Sequence, residues 1–82
     1  MPAMLTAQET LDQYFPEMRW RCLSLAADLD RVQRASGGFE AMRNDARLQD
    51  LHRAIRALLG DQGPRAQQVL MIFSDTTPPP AR

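Results

Sequence analysis

Residues 16–36 constrain the fold more than any other part of this sequence, because they carry the longest uninterrupted helical pattern, PEMRWRCLSLAADLDRVQRAS. At 100° per residue, five apolar residues fall in one arc with alternating spacings of four and three, as in a helix-packing seam. They are Met18, Cys22, Leu25, Leu29 and Val32. Trp20, Leu23 and Ala27 lie on the opposite side of the same helix. One neighbouring helix cannot cover both sides, so we expect partners on two flanks.

The ends of this helix are marked by residues that favour helix termini. Pro16 suits the first turn, where its missing N–H is not needed. Gly37 and Gly38 follow the last periodic residue and suit a left-handed C-terminal cap. The sequence therefore predicts a long central helix over residues 16–36.

A shorter helix is predicted before it. Thr6 and Glu9 have the spacing of a capping box, in which each side chain accepts a hydrogen bond from the other residue's backbone N–H. Leu11 and Phe15 continue the heptad phase of the long helix. We expect a break or a sharp kink at residues 14–16, because proline disrupts a helix interior.

The second half of the chain predicts further helices. Phe39 and Met42 suggest one helical turn over residues 39–43 rather than a full helix. A helix over about 45–59 begins at an Asn44 or Asp45 cap, and Gly60 ends it. Its apolar arc contains Leu48, Leu51, Ile55, Leu58 and Leu59.

The last predicted helix covers about 64–74 and opens with Pro64. Its apolar cluster contains Ala66, Val69, Leu70, Ile72 and Phe73. Residues 75–82 are proline-rich and are expected to form a flexible tail. The pattern predicts an all-α fold, a small antiparallel three- to four-helix bundle in one domain over residues 1–74.

Composition limits the function classes. Ten basic and ten acidic residues cancel, which argues against binding to nucleic acid or anionic membrane through overall charge. The single cysteine cannot form a disulfide within the chain. No apolar run is long enough to span a bilayer, and no export signal opens the sequence, so we expect a cytoplasmic protein.

No group of side chains predicts catalysis, a cofactor or a metal site. His52 is the only histidine and has no acidic residue within about 10 Å on its side of the helix. Asp28 and Asp30 point in nearly opposite directions and cannot share a proton. Cys22 is expected to be an inert core residue. We therefore predict a protein that is not an enzyme and has no small-molecule substrate.

Two functional hypotheses remain. The first is a helical protein that acts through protein contacts, as a homodimer or as an adaptor or regulatory subunit, with Trp20, Leu23 and Ala27 as the contact stripe. If the N-terminal helix instead folds back over these three residues, they belong to the core of a four-helix packing. The alternative is a small regulator that contacts nucleic acid through arginines of the third helix. These are Arg47, Arg53 and Arg56.

Overall fold

The computed structural model describes residues 4–61 and 63–74. Within these residues the chain forms helices and no strands, which confirms the all-α prediction. The helices are α1 (Ala7–Arg34), α2 (Gly38–Asn44), α3 (Ala46–Leu59) and α4 (Arg65–Phe73). The chain divides into two compact units, Met1–Gly38 and Phe39–Arg82. The predicted tail over 75–82 lies outside the described residues.

Helix α1 is continuous, so of the two alternatives predicted for residues 14–16, a break between two separate helices is wrong. Pro16 lies inside this helix of 28 residues. The capping box predicted at its start is confirmed: the Thr6 N–H donates to Glu9 Oε1 at 2.9 Å, and the Glu9 N–H donates to Thr6 Oγ1 at 3.1 Å. The residues that follow the proline, Glu17, Met18 and Arg19, have high helix propensity and continue the helix.

The C-terminal end of α1 differs slightly from the prediction. Ala35 is the C-cap residue, with extended backbone angles. Gly37 has φ 79°, the left-handed conformation expected of a glycine after a helix. Gly38 already belongs to α2, and a Cβ at this position would collide with the carbonyl oxygens of Val32 and Gln33. Only glycine fits there.

No residue of α1 is buried. The predicted seam is therefore only partly covered, with Leu25, Leu29 and Val32 half-buried. Met18 is 48% exposed and Cys22 is exposed, so the prediction of Cys22 as a core residue is wrong. The helical wheel identified an apolar arc correctly, but within residues 4–38 no other element covers its N-terminal half.

The second unit begins with α2, which is a short helix of 7 residues rather than the predicted single turn. The Arg43 guanidinium lies 5.3 Å from the centre of the Phe39 ring, a cation–π contact across one turn. Asp45 caps α3 as predicted, and Gly60 ends it. Pro64 precedes α4 at its N-cap position.

Helix α3 packs against α4. The Nε of Arg65, the first residue of α4, donates to the carbonyl oxygen of Leu58 at 2.9 Å and so satisfies a carbonyl in the last turn of α3. The buried apolar side chain among the described residues is Ala54, which is 3% exposed. Its small size allows two helices to approach closely.

The predicted apolar arcs of these two helices are only partly buried. Half-buried members are Leu48, Leu51, Ile55, Val69 and Ile72. Leu58, Leu59, Ala66, Leu70 and Phe73 are exposed, contrary to the prediction. Two short helices cover only a narrow strip of each other, and wide apolar arcs extend beyond that strip.

Candidate protein-contact site

The predicted contact stripe lies on the middle of α1. Trp20 is 65% exposed, Leu23 is 48% exposed and Ala27 is half-buried. Their spacing of three and four residues places all three on one face of the helix. An indole and a leucine side chain one turn apart thus form a small exposed apolar patch, the type of surface that proteins use for contacts.

A shallow apolar depression adjoins this stripe. It has a volume of about 320 Å³ and is lined by Phe15, Met18, Arg19, Cys22 and Leu23. These residues occupy positions i, i+3, i+4, i+7 and i+8, which lie on one face of a helix, so the depression follows a single face of α1. It connects the predicted seam to Leu23 of the contact stripe. Sequence reasoning missed this connection because it assigned Met18 and Cys22 to a closed core.

The polar side of α1 is paired within the helix. Arg21 Nη2 lies 3.3 Å from Glu17 Oε2, and Arg31 Nη1 lies 2.7 Å from Asp28 Oδ1. The residues of these pairs are four and three positions apart along the helix. Such exposed pairs contribute little to stability, but they fix the position of charge along the helix.

The arginines of the nucleic-acid alternative lie on α3, and acidic neighbours neutralise two of them. Arg47 Nη2 lies 2.9 Å from Asp45 Oδ2, and Arg53 Nη2 lies 2.6 Å from Asp50 Oδ1. Arg56 makes no hydrogen bond or ion pair with any described residue. A phosphate would have to compete with the two carboxylates for Arg47 and Arg53, which weakens this hypothesis.

Asp45 is the carboxylate whose protonation is most strongly altered by its surroundings. It accepts hydrogen bonds from the side chain of Arg47, at 3.0 Å to Nε and 2.9 Å to Nη2, and from the Arg47 backbone N–H at 2.8 Å. The Arg47 side chain first, and then its N–H, lower the pKa of Asp45 from 3.8 to about 2. These contacts favour the ionised form, so the carboxylate is a structural cap.

This shift makes the start of α3 sensitive to acid. Because the folded-state pKa is depressed, the stabilisation by the Asp45 carboxylate is complete above about pH 3.8 and is lost as the pH falls through about 2. We expect the amide resonance of Arg47 to titrate in NMR spectra with a midpoint near 2. Asp45→Asn keeps a capping side chain and should remove that titration. A midpoint near 4 would contradict the capping interaction.

The remaining reactive groups do not lie on one helix. His52 and Cys22 are both exposed, on α3 and α1 respectively. Asp28 is held in its ion pair with Arg31. Over residues 4–61 and 63–74, no three histidine, cysteine or acidic side chains come together as a metal-binding group would require. None of the described helices combines the length and the apolar character needed to cross a bilayer.

Comparison with known proteins adds no assignment to these observations. The sequence matches no protein-family model and no curated protein, and the fold matches no solved structure. The candidate site is therefore the exposed apolar surface of α1.

Proposed function

We propose that this chain is a non-enzymatic helical protein that acts through protein–protein contacts, as a homodimer or as an adaptor or regulatory subunit. The contacts are made by α1, and Trp20, Leu23 and Ala27 form the contact stripe. One observation carries the proposal: a helix of 28 residues has apolar side chains on two sides and no buried residue.

The energetics favour a partner on this helix. Burying one tryptophan and one leucine side chain contributes on the order of 4 to 6 kcal/mol before the costs of association are subtracted. A chain of 82 residues has a small core, so a contribution of this size is large compared with its own stability. Association through α1 thus stabilises the fold as well as the complex.

The position of Trp20 supports its role as the centre of the stripe. Tryptophan is enriched among residues that dominate binding energies, and its indole combines a large apolar area with one N–H donor. Leu23 and Ala27 follow it by one and two turns on the same face. A partner helix lying along this face would contact all three residues.

Replacement of Trp20 by alanine tests the proposal. We expect Trp20→Ala to weaken binding of the partner about thirtyfold, equivalent to about 2 kcal/mol. The free energy of unfolding of the unbound chain should change by less than about 1 kcal/mol, because the indole is already 65% exposed. Met71→Ala is the matched control, since Met71 on α4 is 67% exposed.

The partner is detected by photo-cross-linking in the cells that produce the protein. A photoreactive residue replacing Leu23 should give one discrete adduct, with another protein or with a second copy. The adduct should disappear with Trp20→Ala and persist with Met71→Ala. Loss of stability with no change in the adduct would show that the stripe is part of this chain's own core, and the absence of any adduct would also contradict the proposal.

A further inference from the structure

The apolar seam of α1 is longer than a single packing contact requires. Because α1 continues through Pro16, the seam gains two residues at its N-terminal end and keeps the alternating spacing of four and three. It consists of Leu11, Phe15, Met18, Cys22, Leu25, Leu29 and Val32. In heptad notation these are three a positions and four d positions over three heptads, the pattern of a coiled coil.

Pro16 does not interrupt this seam. Its heptad position is b, next to the phenylalanine at position a and outside the a/d contact. The seam residues are half-buried or exposed, and Leu11 and Phe15 are 45% and 52% exposed. The seam therefore offers an apolar surface along most of α1, more exposed from Leu11 to Cys22 than from Leu25 to Val32.

We propose that this seam packs against the same seam of a second copy, forming an antiparallel two-stranded coiled coil. The inference rests on the proposed function, since it assumes that α1 makes protein contacts. The inference specifies one partner, a second copy of this chain, and its antiparallel orientation. Trp20 and Ala27 of the contact stripe lie on the other side of α1 and remain accessible in the dimer, whereas Leu23 lies at the edge of the depression.

Length favours a second α1 as the occupant. From Leu11 to Val32 the seam extends over about 31 Å at 1.5 Å per residue. Helix α3 has 14 residues and α4 has 9, equivalent to about 21 Å and 13 Å. Among the described helices, only another copy of α1 is long enough for this seam, although Leu11 lies beyond the last layer in the register described below.

The depression on α1 has the geometry of a coiled-coil hole. Four of its lining residues, Phe15, Met18, Arg19 and Cys22, occupy positions i, i+3, i+4 and i+7. Four residues at this spacing surround the site into which one side chain of a facing helix inserts. The site is already open in the single chain, so a facing helix can enter without rearrangement.

Charges beside the seam select an antiparallel arrangement. Arg21 and Asp28 both occupy g positions. When Cys22 faces Leu25 of the second copy, Arg21 faces Asp28 of that copy, and the two-fold axis repeats the pair. This register also forms six apolar layers, with Phe15 opposite Val32 at each end. Opposite charges across an interface determine register and orientation more than they add affinity.

Other arrangements lack this complementarity. In a parallel dimer Arg21 faces Ala26 and Asp28 faces Gln33 of the second copy, so neither residue has an opposite charge across the interface. Shifting the antiparallel register so that Cys22 faces Met18 brings the two Arg21 side chains together, which is unfavourable.

Asp12 and Arg19, at e positions, would face each other only in the register that pairs Phe15 with Met18, and that register forms four apolar layers instead of six. The proposed register therefore combines opposite charges with the larger apolar contact.

Charge reversal in separate chains tests the arrangement. A dimer of Arg21→Glu chains places a carboxylate at position 21 opposite Asp28 of the other copy, at both symmetry-related positions. A dimer of Asp28→Arg chains likewise places a guanidinium opposite Arg21 at both positions. Each variant should dimerise about tenfold more weakly than the wild type. Mixing the two variants in equal amounts rebuilds both opposite pairs across the interface, so mixed dimers should predominate and regain wild-type affinity.

Mixing separates this effect from changes within each helix. Within its own helix, Arg21→Glu adds repulsion with Glu17, and Asp28→Arg adds repulsion with Arg31. Because both repulsions lie within one chain, mixing the two variants does not change them. A mixture of Glu17→Arg and Arg31→Glu is the matched control, because these residues share the polar side but occupy c positions. This control mixture should contain mixed dimers only in the proportion expected from random pairing of the two chains. Native mass spectrometry measures the proportions, and sedimentation equilibrium measures the affinities.

The outcomes separate this inference from the proposed function. Predominance of mixed dimers supports the antiparallel arrangement. If the wild type dimerises but neither charge reversal changes the dimer affinity and mixing gives no excess of mixed dimers, the antiparallel arrangement is overturned. A chain that stays monomeric throughout overturns the second copy as the occupant of the seam. Neither of the last two results affects the loss of the position 23 adduct in Trp20→Ala, which tests the contact stripe because Trp20 lies outside the seam.

Discussion

Leu25→Asp is expected to abolish dimerisation, with an affinity at least a hundredfold lower than that of the wild type. In the antiparallel arrangement the two central layers each pair Leu25 with Cys22 of the other copy. The substitution places two carboxylates near the two-fold axis, among apolar side chains. Removing an unpaired charge from water costs several kcal/mol, and about 2.7 kcal/mol already equals a hundredfold loss.

Ser24→Asp is the matched control for this substitution. It adds the same charge one residue earlier, on the polar side of α1 between Arg21 and Asp28, so it should leave the affinity within about threefold. Sedimentation equilibrium over a concentration series measures both variants. Equal affinities for Leu25→Asp and Ser24→Asp would contradict the assignment of the seam as the dimer interface.

Helix boundaries followed from the sequence wherever a local interaction determines them. The Thr6 and Glu9 capping box, the Asp45 cap and the stop at Gly60 each depend on residues within one turn of the boundary. Such interactions are encoded by spacing alone. The all-α fold and the bounds of α3 and α4 could therefore be predicted closely.

Pro16 shows where local signals compete. A proline favours the first turn of a helix and disfavours the interior, and the sequence contains both a cap at Thr6 and a proline ten residues later. The prediction gave the proline more weight than the helix formers around it. The structure shows the reverse, with one helix from Ala7 to Arg34.

Burial was the least predictable property because it depends on neighbours. A helical wheel shows which sides of a helix are apolar, but it does not show which side is covered. Leu59 belongs to the apolar arc of α3 and is 83% exposed, whereas Ala54 lies at the border of that arc and is 3% exposed. Predictions based on large side chains overlook a small residue at a close helix contact.

The two apolar sides of α1 have separate roles in the arrangement proposed. With the seam inside the dimer, Trp20 occupies the f position, which faces away from the second copy. Each dimer then carries two outward contact stripes related by the two-fold axis. A partner binding one stripe would find an identical site on the other, so we infer that such a partner binds with two copies per dimer.

Pro16→Ala is expected to stabilise α1 by about 2 to 3 kcal/mol. Alanine restores the N–H that can donate to the carbonyl oxygen of Asp12, removes the clash of the proline ring with that carbonyl, and has the highest helix propensity. The gain is reduced by up to about 1 kcal/mol, because the unfolded chain becomes more flexible without proline. Urea unfolding followed by circular dichroism measures the change. The control is Gln13→Ala, which should change the free energy of unfolding by only about a few tenths of a kcal/mol. Since position 16 lies outside the seam, dimer affinity should not fall; a loss of stability or of dimerisation would show that α1 requires the proline for its packing.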